Sequence, residues 1–406
     1  MKKANTYKII GTILVLVSLN CKEEFEIETQ GFESVLVVEG TITNQLKYHK
    51  IKLSRTFLLE SNEQILENNA SVIVFDDQQN NYTFTQNTEG TYVSDIEFQA
   101  EPNVSYTLEI TTENGKQYTS TPTMLTPTSQ INNLYPLLIE DNVEILVDSD
   151  NTSTNASYFR YEYQETYKVI TPHPSIANMD IVNYNDTVAG DITYDIIVTP
   201  NLDQTETCFQ TKNSLDIIQT TTSELEDNIV LRFPVKKIST LNGIIRDRYS
   251  ILVKQYVQDI EAYTYYKTIN TLGNIGSILS ESQPGFAMGN VSSTVSTEEK
   301  IIGFFEVSSY SEKRIFLDYS DFNISRPEYL YECNTDTLDY RDNFPPIIDL
   351  DRNERLVLYT LVTEHDYRLI YNGNGPIPTD IFTIVNPECG DCTTVATNTQ
   401  PDFWED

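Results

Sequence analysis

The N-terminus is the feature that most constrains how this chain can fold. Lys2 and Lys3 open the sequence, and an apolar run follows over residues 9–19. A positive segment followed by a short apolar run is the layout of a secretory signal peptide. The run is too short for a transmembrane helix, which needs about 20 apolar residues. We therefore interpret residues 1–20 as a signal peptide and expect the rest of the chain to fold outside the cytoplasm.

The predicted signal peptide ends at Cys21. A cysteine at this place resembles the acylated residue of bacterial lipoproteins, which becomes the new N-terminus after cleavage. Ser18 and Asn20 depart from the usual pattern, which has leucine three residues before the cysteine and a small residue next to it. The alternative is a conventionally cleaved signal, with Cys21 as a chance residue or a disulfide partner. We favour lipidation at Cys21.

The residues after the cysteine support an address on the cell surface. Lys22, Glu23 and Glu24 resemble the signal that exports Bacteroidota lipoproteins to the outer face of the outer membrane. Residues 21–32 are polar and acidic and read as a lipid-anchored tether. The expected location is the outer membrane, with the chain held by acylated Cys21 and facing the cell exterior.

The chain is strongly acidic. It carries 60 acidic and 27 basic residues among 406, for a formal net charge of −33. A surface of this charge repels the phosphate backbone, so we exclude nucleic acid as a partner. The 26 tyrosines and 17 phenylalanines favour a strand-rich globular protein over a disordered chain.

Short strand patterns fill residues 33–121. Apolar or alternating runs occur at 34–40, 50–54, 70–75 and 105–110, and Asn114-Gly115 predicts a hairpin turn after the last of them. About seven short strands in this length are typical of an immunoglobulin-like β-sandwich. The Cys-Trp-Cys pattern of true immunoglobulin domains is absent. We predict a β-sandwich domain over 33–121.

A proline- and threonine-rich segment at 122–130 reads as a linker. Residues 131–406 then predict a larger β-rich domain with one or two helices, the clearest helix lying at 258–272. Residues 171–204 are polar, contain three prolines and show little periodicity, so we expect a long irregular surface insertion there. The predicted fold class is mainly β.

Four cysteines follow the lipidation site: Cys208, Cys333, Cys389 and Cys392. An even number in an exported chain suggests two disulfides, and four cysteines allow three pairings that the sequence cannot distinguish. Our preferred pairing is Cys389–Cys392 with Cys208–Cys333. The Cys-x-x-Cys spacing can also mark zinc or a redox centre, but only three histidines exist and the pair lies in a loop-like tail. We favour structural staples.

Sequence motifs for chemistry are lacking. The chain has no Gly-x-Ser-x-Gly elbow, no phosphate-binding glycine loop and no His-Glu-x-x-His. The segment from Asp148 begins like a calcium loop, but Ser153 stands at its sixth position and Phe159 at its twelfth, so the EF-hand interpretation fails. We predict no enzyme activity, no catalytic residues, no cofactor and no dedicated metal site, and the ligand stays unknown.

Several segments together resemble one known family. They are residues 248–251, 263–266, 285–290, 303–314 and the tail 387–404. The resemblance is to Bacteroidota outer-membrane lipoproteins of the domain-of-unknown-function 4249 family, and the tail is its most specific part. Members are commonly encoded beside SusC-like TonB-dependent receptors, so the resemblance implies a surface lipoprotein that serves such a transporter. A structural or adhesive role in the cell envelope is the alternative. The resemblance brings no catalytic residues.

The tail also carries the only tryptophan, Trp404, beside Phe403. We expect Trp404 to pack onto the second domain, held there by the predicted Cys389–Cys392 staple. A frayed terminus is the alternative.

Overall fold

The computed structural model describes residues 34–56, 65–88, 90–152, 154–175, 177–186, 192–274, 287–339, 354–370 and 381–406. The predicted signal peptide at 1–20 and tether at 21–32 lie outside these residues. The same holds for Cys21, Lys22, Glu23 and Glu24.

Strands dominate the described part of the chain. In chain order they are β1 (Leu36–Thr43), β2 (Lys50–Arg55), β3 (Ile65–Leu66), β4 (Ser71–Asp76), β5 (Asn81–Gln86), β6 (Thr91–Ser94), β7 (Ser105–Thr111), β8 (Gln117–Ser120), β9 (Thr123–Met124), β10 (Asn133–Ile139), β11 (Asn142–Asp150), β12 (Tyr158–Ile170), β13 (Ala177–Asp186), β14 (Ile192–Pro200), β15 (Thr207–Asn213), β16 (Ile218–Thr221), β17 (Ile229–Ser239), β18 (Tyr249–Gln258), β19 (Val291–Ser293), β20 (Ile301–Ser308), β21 (Tyr310–Leu317), β22 (Thr335–Asp339), β23 (Arg368–Ile370) and β24 (Ile381–Val385). The α-helices in the same ranges are α1 (Ile260–Asn274), α2 (Glu354–Thr363) and α3 (Pro387–Gly390).

Eleven strands form the first sheet. Its order is β19-β8-β7-β4-β5-β6-β2-β1-β20, with β3 beside β2 and β9 beside β7. Inward-facing side chains of these strands, among them Leu36, Val72, Tyr92 and Phe305, share one core. The mainly β prediction is confirmed, and the Asn114-Gly115 hairpin joins β7 to β8 as expected. The strands follow one continuous hydrogen-bonded path, so the finer immunoglobulin-like assignment stays a prediction.

The first sheet draws strands from both sides of the boundary that the sequence suggested between 33–121 and 131–406. β19 pairs with β8, and β20 runs parallel to β1 along its whole length. The predicted linker at 122–130 holds β9 and a buried Thr126. The Thr126 hydroxyl donates to the Val257 carbonyl (2.9 Å) and accepts from the Ser309 amide (2.8 Å). This segment is therefore packed between the two halves of the chain.

The contact between β1 and β20 requires a glycine. Gly303 has φ +151° and lies opposite Val38 of β1. A Cβ atom at Gly303 would lie 2.3 Å from the Val38 carbonyl oxygen, closer than any real contact. Because glycine has no side chain, the two backbones can approach each other here. Gly303 can also adopt this φ value, which L-residues rarely do.

A second core lies between two further sheets. One has the order β10-β11-β17, and the other is β15-β12-β18-β21 with β16 beside β12. Buried residues from facing strands meet in this core, for example Ile145 of β11, Phe159 of β12 and Ile251 of β18.

The remaining sheet has the order β14-β13-β23-β24-β22 and packs against α2. It corrects one prediction, because β13 and β14 form a hairpin within the segment 171–204 that we expected to be irregular. Ile192 and Tyr194 are buried on β14, whereas the strand's alternate positions are exposed. Because few residues of β14 enter a core, the alternation of apolar and polar residues in its sequence was too weak to predict a strand.

The predicted helix at 258–272 is confirmed as α1, two residues later along the chain. Asp259 precedes it, and its carboxylate accepts a hydrogen bond from the Ala262 amide (2.7 Å), which caps the first turn. Ala262 and Tyr265 pack against Phe304 of β20. α1 therefore covers part of the outer face of the first sheet.

The preferred disulfide pairing is wrong, although two disulfides form from the four predicted cysteines. The structure joins Cys208 to Cys392 and Cys333 to Cys389. Cys389 lies in α3, the backbone is extended at Asp391, and Cys392 starts a separate 3-10 turn. Because the backbone changes direction between them, Cys389 and Cys392 lie next to different partners and do not bond to each other.

The expected packing of Trp404 is confirmed. Its side chain is only 6% exposed and meets the rings of Phe209 and Phe316 edge-on. The guanidinium of Arg314 stacks on Phe403, 3.6 Å from the ring centroid. The staple nearest in sequence is Cys392–Cys208, which ties the tail to β15, the strand that carries Phe209.

The two disulfides differ in the chain length that they close, which gives a prediction. Replacing both Cys208 and Cys392 with alanine should lower the free energy of unfolding by about 2–5 kcal/mol, because the bond constrains a long loop of the unfolded chain. The matched pair Cys333→Ala/Cys389→Ala should cost less, since its residues are separated by 56 positions instead of 184. Urea unfolding followed by circular dichroism measures both. Recovery of a Cys389–Cys392 peptide after non-reducing digestion would contradict the connectivity.

Candidate binding cleft

A cleft of about 800 Å³ lies where the outer face of the first sheet meets the second core. Strands β1, β2 and β20 supply one wall through side chains that alternate away from the first core. The start of β12, the helix α1 and the loop 214–217 supply the other. Its volume falls in the range typical of sites for small molecules, and junctions between packed units are common places for them.

The lining reverses the charge balance of the chain. Four cationic side chains line the cleft, against three carboxylates: Lys47, Lys50, Lys52 and Arg160, with Glu39, Glu162 and Asp216. In the whole chain, by contrast, acidic residues outnumber basic ones 60 to 27.

Arg160 of β12 is the most buried of these cations, with 6% exposure. One guanidinium nitrogen lies 3.0 Å from Glu306 of β20, and another forms an ion pair with Glu162. The rings of Tyr256 and Tyr266 lie 4.3 and 4.9 Å from the guanidinium carbon. Arg160 thus joins the second core to the first sheet through an ion pair and two cation–π contacts.

The surroundings keep Arg160 charged. Burial by itself would lower the pKa of Arg160, but the Glu306 carboxylate, with Tyr266 and Glu162, raises it well above its ordinary value. The Nε atom of Arg160 is buried and has no hydrogen-bond partner among the described residues. A carboxylate as buried as Glu306 needs this cation, because an unpaired charge in such a place is strongly destabilising.

A row of polar contacts continues from Arg160 along the β18 and β21 pair. The Tyr256 hydroxyl donates to Glu162 (3.2 Å), and the Tyr310 hydroxyl donates to Glu312. Burial, followed by these carboxylates, raises the pKa of both tyrosines, so they stay protonated donors. The Lys47 ammonium lies 5.1 Å from the Tyr310 ring centroid.

Lys47 is a second cation of the wall that is partly buried. Burial lowers the pKa of its ammonium group, and the nearby Lys254 lowers it further, against the opposing effects of Glu312 and Glu162. Its ammonium donates to the Gln45 side-chain oxygen at 2.9 Å.

His49 lies beneath the same wall and is only 1% exposed. Its Nε2 atom is 2.9 Å from the carbonyl of Phe98, so this nitrogen must carry the proton and donate it. Nδ1 has no partner among the residues described. Burial lowers the pKa of His49 to about 4, more than the Phe98 carbonyl raises it. The imidazole is therefore neutral at neutral pH, with its one proton donated to the backbone.

The remaining wall is largely apolar. Tyr265, Ile269 and Phe304 pack together on the α1 side. Tyr48 and Leu215 stand at the cleft with large exposed areas, Leu215 being 97% exposed. Apolar walls with a few polar groups are the composition expected of a binding site for an organic molecule.

Those predicted site residues that the structure describes do not meet in the cleft. The four described cysteines are all used in disulfides, and none of them lines the cleft. Asp148, where the failed calcium loop begins, accepts hydrogen bonds from the Arg232 amide and the Tyr135 hydroxyl. No group of three His, Cys, Asp or Glu side chains able to hold a metal occurs in the described residues.

Sequence analysis missed the cleft, although one signal was present. Arg160 alternates with buried aromatic residues along β12, a pattern that reads as one buried and one solvated face. The face that carries Arg160 is instead covered by the first sheet and α1, whose positions depend on contacts distant in sequence.

The fold and this cleft define a mainly β, disulfide-bonded protein with a partly open cleft at the junction of its two cores. The chain belongs to the family described as Domain of unknown function (DUF4249), which it matches over residues 22–314. This range contains every residue that lines the cleft and stops before the tail at 387–404. No curated protein matches the chain. Among the described residues, no helix combines the length and apolar character that a membrane span requires.

The Arg160–Glu306 pair gives a testable prediction. Arg160→Met should lower the free energy of unfolding by about 3–5 kcal/mol, because it leaves a buried carboxylate without its cation. The double variant Arg160→Met/Glu306→Leu should recover most of this loss, since it removes both charges. Urea unfolding followed by circular dichroism provides the measurement.

A matched control for this experiment is Lys168→Met, which removes the cation of an ion pair with Asp406, whose side chain is 65% exposed. It should cost less than about 1 kcal/mol, because the carboxylate that it leaves behind stays in water. Equal losses in Arg160→Met and Lys168→Met would show that the buried pair does not stabilise the junction.

His49 predicts a pH dependence of stability. Its folded pKa of about 4 lies below the ordinary value of 6.5, so the unfolded state binds the proton first. As the pH falls from 6.5 to 4, protonation of His49 in the unfolded state should therefore lower the free energy of unfolding by about 3 kcal/mol. Below pH 4 and above pH 6.5, His49 should not change the free energy of unfolding further with pH. The measurement compares the unfolding free energy of wild type and His49→Gln across pH 4–7.5. His365→Gln, at an exposed position, is the control and should follow wild type; parallel profiles for His49→Gln and wild type would contradict the assignment.

Proposed function

We propose that this chain is a surface-exposed lipoprotein of the outer membrane that acts as a non-enzymatic accessory or binding subunit of a SusC-like TonB-dependent transporter. The observation that carries the proposal is the cleft at the junction of the two cores. It offers a volume of about 800 Å³, apolar walls and local positive charge within the part of the chain that matches the family.

The same geometry favours binding over catalysis. Arg160 is held by two carboxylates, and the His49 proton is donated to a backbone carbonyl, so neither group is placed to attack or to transfer a proton to a substrate. The polar side chains that remain in the wall can hold and orient a molecule.

The N-terminal sequence supports the location. Acylation of Cys21 would anchor the chain in the outer membrane, and Lys22, Glu23 and Glu24 would direct it to the outer face. A tether over 21–32 spans at most about 40 Å when fully extended. Because β1 begins shortly after it and lines the cleft, the cleft would stay within reach of a transporter in the same membrane.

The second candidate is a structural or adhesive component of the cell envelope. The observation that favours it is the interlocking of the two halves by β1, β20 and the segment at Thr126, which makes a stiff body suited to bearing load.

Co-purification tests the proposal. A tagged full-length chain, extracted from outer membranes with mild detergent, should bring down a TonB-dependent receptor in stoichiometric amount. The matched control Cys21→Ala should lose both membrane association and the receptor. Repeated recovery of the anchored protein alone, or with envelope assembly proteins only, would reject the transporter role and favour the structural one.

A further inference from the structure

We infer that the cleft binds a small organic anion, with its charged group between Lys50 and Lys52 and its apolar or cyclic body against the α1 wall. The inference rests on the proposed function only in taking the cleft as a binding site. It names the class of ligand, which that proposal leaves open.

The two lysines are placed by the alternation of β2. Ile51 and Leu53 are fully buried in the first core, so Lys50 and Lys52 project from the opposite face, which is the wall of the cleft. Neither ammonium forms an ion pair with a described residue. Glu39 lies directly opposite Lys52 in the strand register, yet no ion pair joins them. Two neighbouring cations thus face the cleft without a counter-charge in contact.

The other cations of the wall are not available in this way. The charge of Arg160 is balanced by Glu306 and Glu162, and the ammonium of Lys47 donates one hydrogen to the Gln45 amide and lies over the Tyr310 ring. Lys50 and Lys52 are therefore the two neighbouring cations of the cleft whose ammonium groups have neither an ion pair nor a hydrogen bond with a described residue. In a chain with a net charge of −33, such a pair gives an anion a local attraction that the surrounding surface does not.

The remaining walls define the body of the ligand. Tyr265, Ile269 and Phe304 present apolar and aromatic surface, and Tyr48 adds a half-exposed ring. Such surface suits the face of a sugar ring or an apolar side chain. Lysine ammonium groups bind an anion as point charges, so one carboxylate between two of them is sufficient. An acidic sugar and the C-terminal carboxylate of a short peptide share this chemistry.

Isothermal titration calorimetry of the full-length protein tests the inference with two pairs of probes. One pair is digalacturonate and its neutral methyl ester. The other is the N-acetylated tripeptide acetyl-Gly-Gly-Phe and its C-terminal amide, in which the acetyl group removes the charge of the N-terminus. At least one acid should bind, and its neutral counterpart should bind about tenfold more weakly, because two exposed charge contacts are lost. The acid that binds identifies the source of the carboxylate.

The variant Lys50→Gln/Lys52→Gln should weaken binding of that acid by about tenfold and leave binding of the neutral probe unchanged. Lys212→Gln/Lys267→Gln makes the same change in net charge at lysines outside the cleft and should bind like wild type. Lys50→Arg/Lys52→Arg should retain binding. Thermal melts that match wild type would show that the loss is not caused by unfolding.

Three results would overturn the inference: neither acid binds, the acid and neutral probes bind equally, or the control pair weakens binding as much as the cleft pair. These outcomes are separate from the co-purification result. Loss of receptor association with intact anion binding would reject the transporter role alone, and the converse would reject the ligand class alone.

Discussion

The parallel pairing of β1 with β20 is the constraint on which the rest of the structure depends. It joins residues 36–43 to residues 301–308, and it requires that Gly303 have no side chain where it meets Val38. Parallel neighbours need a long crossover, and here the crossover contains most of the second core and the helix α1. The cleft follows from this topology, since β1 and β20 form one wall and the crossover supplies the other.

The junction is polar at its centre, which has an energetic cost. Arg160 and Glu306 lose water when the two cores meet, and their mutual attraction offsets that loss only while both stay in place. An apolar contact would hold the cores together in many orientations. The planar guanidinium of Arg160 contacts two carboxylates and two tyrosine rings, and few orientations of the cores keep all of these contacts. We therefore interpret the network as fixing the relative placement of the cleft walls.

Local features of the fold could be predicted from the sequence, and distant ones could not. The alternation in β2, the Asn114-Gly115 hairpin and the helix at 258–272 depend on neighbours a few residues away, and the sequence predicted each of them. The return of β19 and β20 to the first sheet depends on pairing across more than 150 residues, for which one sequence carries no signal. The β13–β14 hairpin was missed because a strand covered on one face by a single helix buries few side chains.

The site shows the same division. Positive residues at Lys50 and Lys52 were visible as one wet face of a strand, but their value as an anion site depends on the wall that α1 places opposite them. The sequence predicted that the four cysteines form two disulfides. Which cysteines pair depends on where the folded chain places Cys389 and the 3-10 turn that starts at Cys392. Pairing is a property of the folded geometry, and sequence spacing suggested the wrong one.

The nested connectivity of the disulfides has a consequence for oxidative folding. Cys208 comes first in the chain among the four bridged cysteines, and the next one to follow it is Cys333, which is not its partner. Joining the four cysteines in sequence order would give two wrong bridges. Oxidation of the reduced chain must therefore either leave Cys208 free until Cys392 reaches it or pass through an early bond that thiol–disulfide exchange then rearranges.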